Sequence, residues 1–223
     1  MAKLLSIQIG MPVSYPANAE SPLASKPWTT GFFKTSTSQI VTIGREGIDG
    51  DGQADLANHG GPDKAICVYP AEHFSYWRIF LNNGRMDAGG FGENFTTEGL
   101  EESQICIGDR FQIGSAIVEV SQPRQPCWKL ARRWDCKALT PEVQRTGKTG
   151  WYFRVIQPGE ARAGETFEPV AGGPVSSEWT IADANKVMHG RDTTKQKIQD
   201  LVSVAALSES WKEQLSKRLQ GGD

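Results

Sequence analysis

The chain has 223 residues, 38% hydrophobic and 22% charged, with a formal net charge of −2. This composition suits a globular protein with one sizeable core and excludes a disordered one. The charge balance gives no long-range attraction to nucleic acid, and no apolar run approaches the roughly 20 residues of a membrane-spanning helix. Met1 to Met11 is too short and too polar for a secretory signal, so the expected location is cytoplasmic.

Residues 3–11 form the first predicted strand, followed by a loop rich in Pro, Ala and Ser from Pro12 to Pro27. A β-branched strand is predicted over Gln39 to Ile43. A long glycine-rich connection, Gly44 to Asp63, leads to a strand at 65–69, and a loop of that length inside a compact domain points to function. Pro70 opens a predicted helix with Glu72 in its first turn. Phe74, Trp77 and Leu81 recur at helical spacing before Asn82-Asn83-Gly84 ends it. Arg110 to Ile113 and Ala116 to Val120 read as a hairpin about Gly114-Ser115. Helices are predicted to begin at Pro126 and at Thr140-Pro141-Glu142. Strands at Trp151 to Ile156 and Thr166 to Val170 follow.

Many short strands with few helices predict an α+β chain, mostly β, as a barrel or sandwich with inserted helices over residues 1–173. After Gly172-Gly173-Pro174 the pattern turns helical, which predicts a small three-helix unit over 174–223. Thr180 caps its first helix, with Asp183 three residues on and Ile181, Ala184, Val187 and Met188 on one face. Ile198, Leu201 and Val202 mark the second. Ser208 caps the third, which presents Trp211, Leu215 and Leu219. A unit this small must dock on the barrel to be stable.

Four cysteines occur and none forms a Cys-x-x-Cys pair, so a structural zinc site has little support. Cys67 and Cys106 lie in apolar strand sequence and read as buried small hydrophobes, while Cys136 carries no distinct signal. Cys127 differs. In Ser121-Gln122-Pro123-Arg124-Gln125-Pro126-Cys127-Trp128-Lys129-Leu130 a strand ends, two prolines stiffen the link and a helix starts. That places Cys127 in a helical first turn, where free N–H groups favour an anion, with Arg124 and Lys129 adding charge. Both effects favour thiolate, the form that binds metals or attacks electrophiles. The alternative is a cysteine merely packed under the helix; its polar, rigid flanks argue against that. Arg132 and Arg133 read as a solvated helix face.

Two further stretches carry weaker signals. Asp51 to Lys64 mixes polar side chains with glycines, and His59 and Lys64 could neutralise a phosphate. In Gly89-Gly90-Phe91-Gly92-Glu93-Asn94, Asn94 either fixes a planar heterocycle or its pyrophosphate, or occupies a left-handed turn.

In combination these blocks resemble the MOSC family, the molybdenum cofactor sulfurase C-terminal domain. The matching stretches are Gly50-Asp51-Gly52-Gln53-Ala54-Asp55, His59-Gly60-Gly61-Pro62-Asp63-Lys64-Ala65, Tyr69-Pro70-Ala71-Glu72-His73, Gly92-Glu93-Asn94 and the Cys127 segment. Gly150 to Val155 and Ala163-Gly164-Glu165 extend the match, and the tail resembles the three-helix extension of the YiiM-type branch. The resemblance implies a β-barrel, a molybdenum-molybdopterin cofactor and Cys127 as the molybdenum ligand, with His59, Lys64, Asn94 and Arg124 as cofactor contacts. It implies reduction of N-hydroxylated compounds such as 6-N-hydroxylaminopurine. The alternatives are a sulfur carrier bearing a persulfide on Cys127 and a non-enzymatic cofactor carrier. A chain of 223 residues leaves no room for the pyridoxal-phosphate domain of the sulfurases. No flavin, haem or nicotinamide motif is visible, so electrons are expected from a separate flavoprotein. Membrane and specific nucleic-acid partners are not expected, and the oligomeric state is open, a homodimer being one option.

Overall fold

Alternation of burial along the strands defines the architecture. The computed structural model describes residues 1–18, 20–170, 177–190 and 193–221. Thirteen strands are described: β1 (Lys3–Ile9), β2 (Val13–Tyr15), β3 (Trp28–Thr30), β4 (Thr35–Thr37), β5 (Val41–Gly44), β6 (Gly47–Ile48), β7 (Ile66–Pro70), β8 (Phe95–Glu98), β9 (Arg110–Ile113), β10 (Ala116–Pro123), β11 (Trp151–Gln157), β12 (Gly159–Ala161) and β13 (Glu168–Pro169). Eight of them form one curled sheet, half of a barrel, in the order β13-β9-β10-β11-β7-β8-β1-β4. β12-β5-β6 form a three-stranded sheet whose Val41, Ile43 and Ile48 join the same core. β2 and β3 pair separately.

Within the large sheet only β7 and β8 run parallel among the described pairs, so the chain must cross over between them. A 3-10 turn (Ala71–His73) and a helix (Phe74–Phe80) make that crossover. The helix therefore starts four residues later than Pro70, which instead ends β7. Its ladder position leaves no room for helical geometry. Asn82, at φ 47°, lies just past the C-cap Leu81.

β7 is buried at every position, yet its two faces serve different layers. Ile66 and Val68 enter the main core, whereas Tyr69 joins a second cluster with Phe32, Trp77, Phe91 and Leu130. On β11, Trp151 and Phe153 face the main core, which turns Tyr152 the other way. Cys67 and Tyr152 thus emerge on the outer face of the sheet. Gly150 permits the approach of β11 to β7: a Cβ there would stand 2.2 Å from the Val68 carbonyl.

Seven helices are described: α1 (Leu56–His59), α2 (the crossover helix Phe74–Phe80), α3 (Trp128–Arg133), α4 (Leu139–Thr146), α5 (Ile181–Met188), α6 (Lys195–Val202) and α7 (Glu209–Gly221). Two further expected boundaries are corrected. α3 begins at Trp128 rather than Pro126, so Cys127 is its N-cap, extended at φ −114° and ψ 169°. α4 is capped at Ala138, not Thr140, whose hydroxyl donates instead to the Cys127 carbonyl at 3.3 Å.

The tail is held by its caps and by the barrel core. Thr180 accepts from the Asp183 N–H at 3.0 Å and Ser208 from the Trp211 N–H at 3.3 Å. Backbone bonds from Ile181 and Ala182 to Ile105 and Glu102 fasten α5 to the barrel. Ile181, Leu201, Trp211 and Leu215 are fully buried in one cluster with Leu4, Phe95 and Trp151. The expected boundary at 173 and 174 lies outside the described residues.

Candidate functional site

On the outer face of the sheet, between α3 and the glycine-rich loops, lies a cavity of about 610 Å³ with its open mouth. Its lining brings together all five residues singled out in the sequence: His59, Lys64, Asn94, Arg124 and Cys127. Their positions follow from β10, whose register shifts between Val120 and Gln122, a bulge that redirects the strand end. Arg124 is then pinned through its backbone N–H to the Gly150 carbonyl at 3.0 Å. Pro126 and the α4 contact of Thr140 hold Cys127 at the lip of α3. Gly31 and Gly52 shape the opposite wall, because a Cβ on Gly31 would meet the Gly52 carbonyl at 2.2 Å.

Arg124 is buried at 5% exposure. Its Nη2 donates to the Phe91 carbonyl at 2.7 Å, while Nη1 is buried with no hydrogen-bond partner. A guanidinium donor left unpaired in a buried wall is costly, and an anionic ligand would relieve it. Lys34, Lys64 and Lys129 also line the cavity, and among the described lining residues there is no carboxylate. Lys34 is offset by an ion pair with buried Asp51, and Lys129 stands 3.9 Å from Asp55. Lys64 donates to the Asn58 carbonyl at 2.8 Å, and burial lowers its pKa. Burial, with Lys129 nearby, also lowers the pKa of His59 to about 4, so its imidazole is neutral at pH 7.

Asn94 lines the cavity, but its amide is engaged within the protein. Oδ1 accepts from the Cys67 N–H at 3.1 Å, and Nδ2 donates to the Gln8 carbonyl at 3.2 Å and to Asp51 at 2.8 Å. It is not left-handed, since Asn82 and Asp135 are the non-glycine residues at positive φ among those described. Glu93 beside it folds the glycine turn, accepting from the N–H groups of Gly89 and Phe91 at 2.6 and 2.9 Å. Asn94 therefore bolts β1, β7 and the Asp51 loop together beneath the cavity floor.

Comparison with known proteins places these features. The MOSC domain model matches residues 55–168, and the YiiM-like, 3-alpha helix domain model matches residues 179–222. The chain belongs to the MOSC family. Bacillus subtilis YflK, an uncharacterized protein, is 42% identical over 215 residues, spanning 96% of this chain and 93% of that one. YiiM of Escherichia coli is 40% identical over 178 residues, 79% of this chain and 78% of its own. A Gibberella moniliformis protein named reductase is 30% identical over 74% of this chain, which matches 30% of its length. The crystal structure of YiiM from Geobacillus stearothermophilus superposes with a TM-score of 0.80 at 36% identity, covering 98% of this chain and all of that one.

Two sequence readings need correction in this MOSC fold. Cys67 is not simply core: it lines the cavity with Cys127, and burial raises its pKa to about 11, so it is a thiol. Arg132 and Arg133 are not a plain solvated face. Arg132 stacks 4.5 Å over Trp28 and Arg133 4.4 Å over Phe33. Lys34, Phe91 and Tyr152 were missed as lining residues: Lys34 sits in a loop without a local motif, while Phe91 and Tyr152 lie inside recognised stretches in which no local signal marks the one side chain that faces the cavity. Among the described residues, no three His, Cys, Asp or Glu side chains converge to hold a metal ion, and no helix is long and apolar enough to cross a membrane. A metal at Cys127 would therefore need ligands brought by a cofactor.

Proposed function

We propose that this chain is a molybdenum-cofactor-dependent reductase of N-hydroxylated compounds such as 6-N-hydroxylaminopurine, with the Cys127 thiolate as the protein's metal ligand. The observation that carries the reading is a single cavity holding Cys127, the unpartnered Nη1 of Arg124 and three lysines, with no carboxylate among its described lining residues. A phosphate-bearing pterin with a soft metal matches both halves of that lining. The MOSC membership and the reductase name of the fungal relative support the same class.

Arg124 and Lys64 would hold the cofactor's phosphate, with neutral His59 as a hydrogen-bonding neighbour. Cys127 would fix the metal at the lip of α3, where its thiolate is a soft donor. Phe91, stacked 3.9 Å from Tyr69, gives a rigid apolar wall that limits water. When bound, the cofactor supplies the two-electron chemistry, and the protein supplies position and access. The net change is R–NHOH + 2e⁻ + 2H⁺ → R–NH₂ + H₂O, with electrons from a separate flavoprotein donor. Metal and pterin analysis of protein made in a cofactor-competent host, followed by turnover of 6-N-hydroxylaminopurine, tests this. Equimolar molybdenum with turnover is expected. Cofactor without turnover would indicate a carrier, and a persulfide mass on Cys127 without molybdenum would indicate a sulfur carrier.

A further inference from the structure

Next to Cys127, Trp128 is 57% exposed. Its ring lies 5.7 Å from that of Trp28, at 48°. Trp28 is in turn braced edge-on by Phe33 at 5.9 Å. Arg132 fills the corner between the two indoles, 4.5 Å over Trp28 and 5.8 Å from Trp128, and it donates to the Lys26 carbonyl. Lys129, 6.0 Å from the Trp128 ring, lines the cavity itself. A large aromatic side chain, more than half exposed, thus sits one residue from the thiol and between two residues that line the cavity.

Exposure of an indole this large is unfavourable unless something covers it, and a rigid brace removes the entropy that stacking would otherwise cost. Three features specify the occupant. The chain neighbours of Trp128 on both sides, Cys127 and Lys129, line the cavity. The face is flat. It is flanked by cations, which favour ring nitrogens and other electron-rich acceptors. An aliphatic substrate would use none of these.

We propose that Trp128, braced by Trp28 and Arg132, is the stacking face that holds a flat heteroaromatic substrate at the cavity mouth and selects it over aliphatic N-hydroxylated compounds. This rests on the reductase reading for the identity of the reacting bond. Trp128 contacts the ring, while Trp28 and Arg132 are positioning residues.

The test has two arms. In the first, adenine, a flat ring without an N–O bond, is titrated into the protein and followed by ligand-observed NMR. Trp128→Ala is expected to weaken binding about tenfold and Trp128→Phe to restore most of it, as for one base stacked on one aromatic ring. Equal adenine binding by wild type and Trp128→Ala overturns the proposal. In the second, cofactor-loaded protein with a small-molecule reductant reduces 6-N-hydroxylaminopurine or acetamidoxime. The ratio of KM for the purine to KM for acetamidoxime is expected to rise about tenfold in Trp128→Ala, with kcat for the purine kept. An unchanged ratio overturns it. So does a defect seen with a flavoprotein donor and absent with the small reductant, which would make Trp128 a protein contact. Loaded protein that reduces neither compound would sink the reductase reading, while lost adenine binding in Trp128→Ala would still support the stacking face.

Discussion

Tyr152 and Cys67 stand opposite each other across the β11–β7 pair, and both side chains line the cavity. The pair places a second thiol in the wall that holds Cys127, but in a different setting. Cys67 is buried in a strand, whereas Cys127 is half-buried at a helix N-cap.

That contrast sets the first prediction. Cys127 makes no side-chain capping bond, and serine is a better N-cap than cysteine. Cys127→Ser is therefore expected to match wild-type stability or exceed it by up to ~1 kcal/mol. It should nonetheless lose molybdenum, because a hydroxyl is a harder, less acidic donor. Cys67→Ser buries a hydroxyl beside Tyr152 and is expected to cost about 1–3 kcal/mol, the scale of an unpaired buried hydroxyl. Thermal melts and metal content of both variants check this. Full reductase activity in Cys127→Ser would remove it from the ligand role.

A second prediction concerns the cations. Lys64→Ala and Arg124→Met each remove one charge-assisted contact to an anion, worth roughly 1.5–3 kcal/mol. Cofactor occupancy is expected to fall by at least tenfold at limiting cofactor. Folding should suffer less in Arg124→Met than the burial of the residue suggests, because the unpaired Nη1 disappears with the charge. Equal occupancy in wild type and Lys64→Ala at matched stability would contradict the assignment.

The third prediction follows from His59. Its folded pKa of about 4 lies below the 6.5 of the free side chain. Between those values the unfolded chain binds more protons, so stability rises with pH there. The contribution of His59 is complete above about pH 6.5 and is lost as pH falls toward 4. Relative to His59→Gln, the wild type without cofactor should melt progressively lower from pH 7 to pH 4.5. Inorganic phosphate, by pairing with the imidazolium, should narrow that gap. Parallel melting curves for the two proteins across this range would refute it.

The fourth concerns the tail. Trp211 is fully buried in the cluster that contains the barrel core, and α7 also meets the site, Gln214 accepting from Gln125 at 3.0 Å. Trp211→Ala is expected to cost about 3–5 kcal/mol. Cutting the chain near Gly173 should expose the apolar surface that α5 to α7 cover and cause aggregation. Light scattering of the truncated protein decides this, and a soluble monomer that retains cofactor would show the tail to be dispensable.

Much of this was legible locally. The caps Thr180 and Ser208, the hairpin about Gly114, and the isolation of Cys127 between two prolines and a helix are short-range signals, because caps and turns act within a few residues. The set His59, Lys64, Asn94, Arg124 and Cys127 was readable as residue types suited to an anion and a soft metal. Cys67 and Tyr152 were not readable as cavity residues. β7 is apolar throughout because both its faces are covered, so period-two alternation is invisible in Ile66-Cys67-Val68-Tyr69. Which face meets the core was decided by the pairing of β7 with β11 and β8. The same holds for Arg132, a charged helix position in sequence, whose partner Trp28 comes from a strand about a hundred residues away. The sequence by itself determined the local caps, the cationic and thiol chemistry and the β-rich class. The tertiary structure alone decided which side chains share a cavity, because contacts across a sheet depend on register between strands distant in the chain.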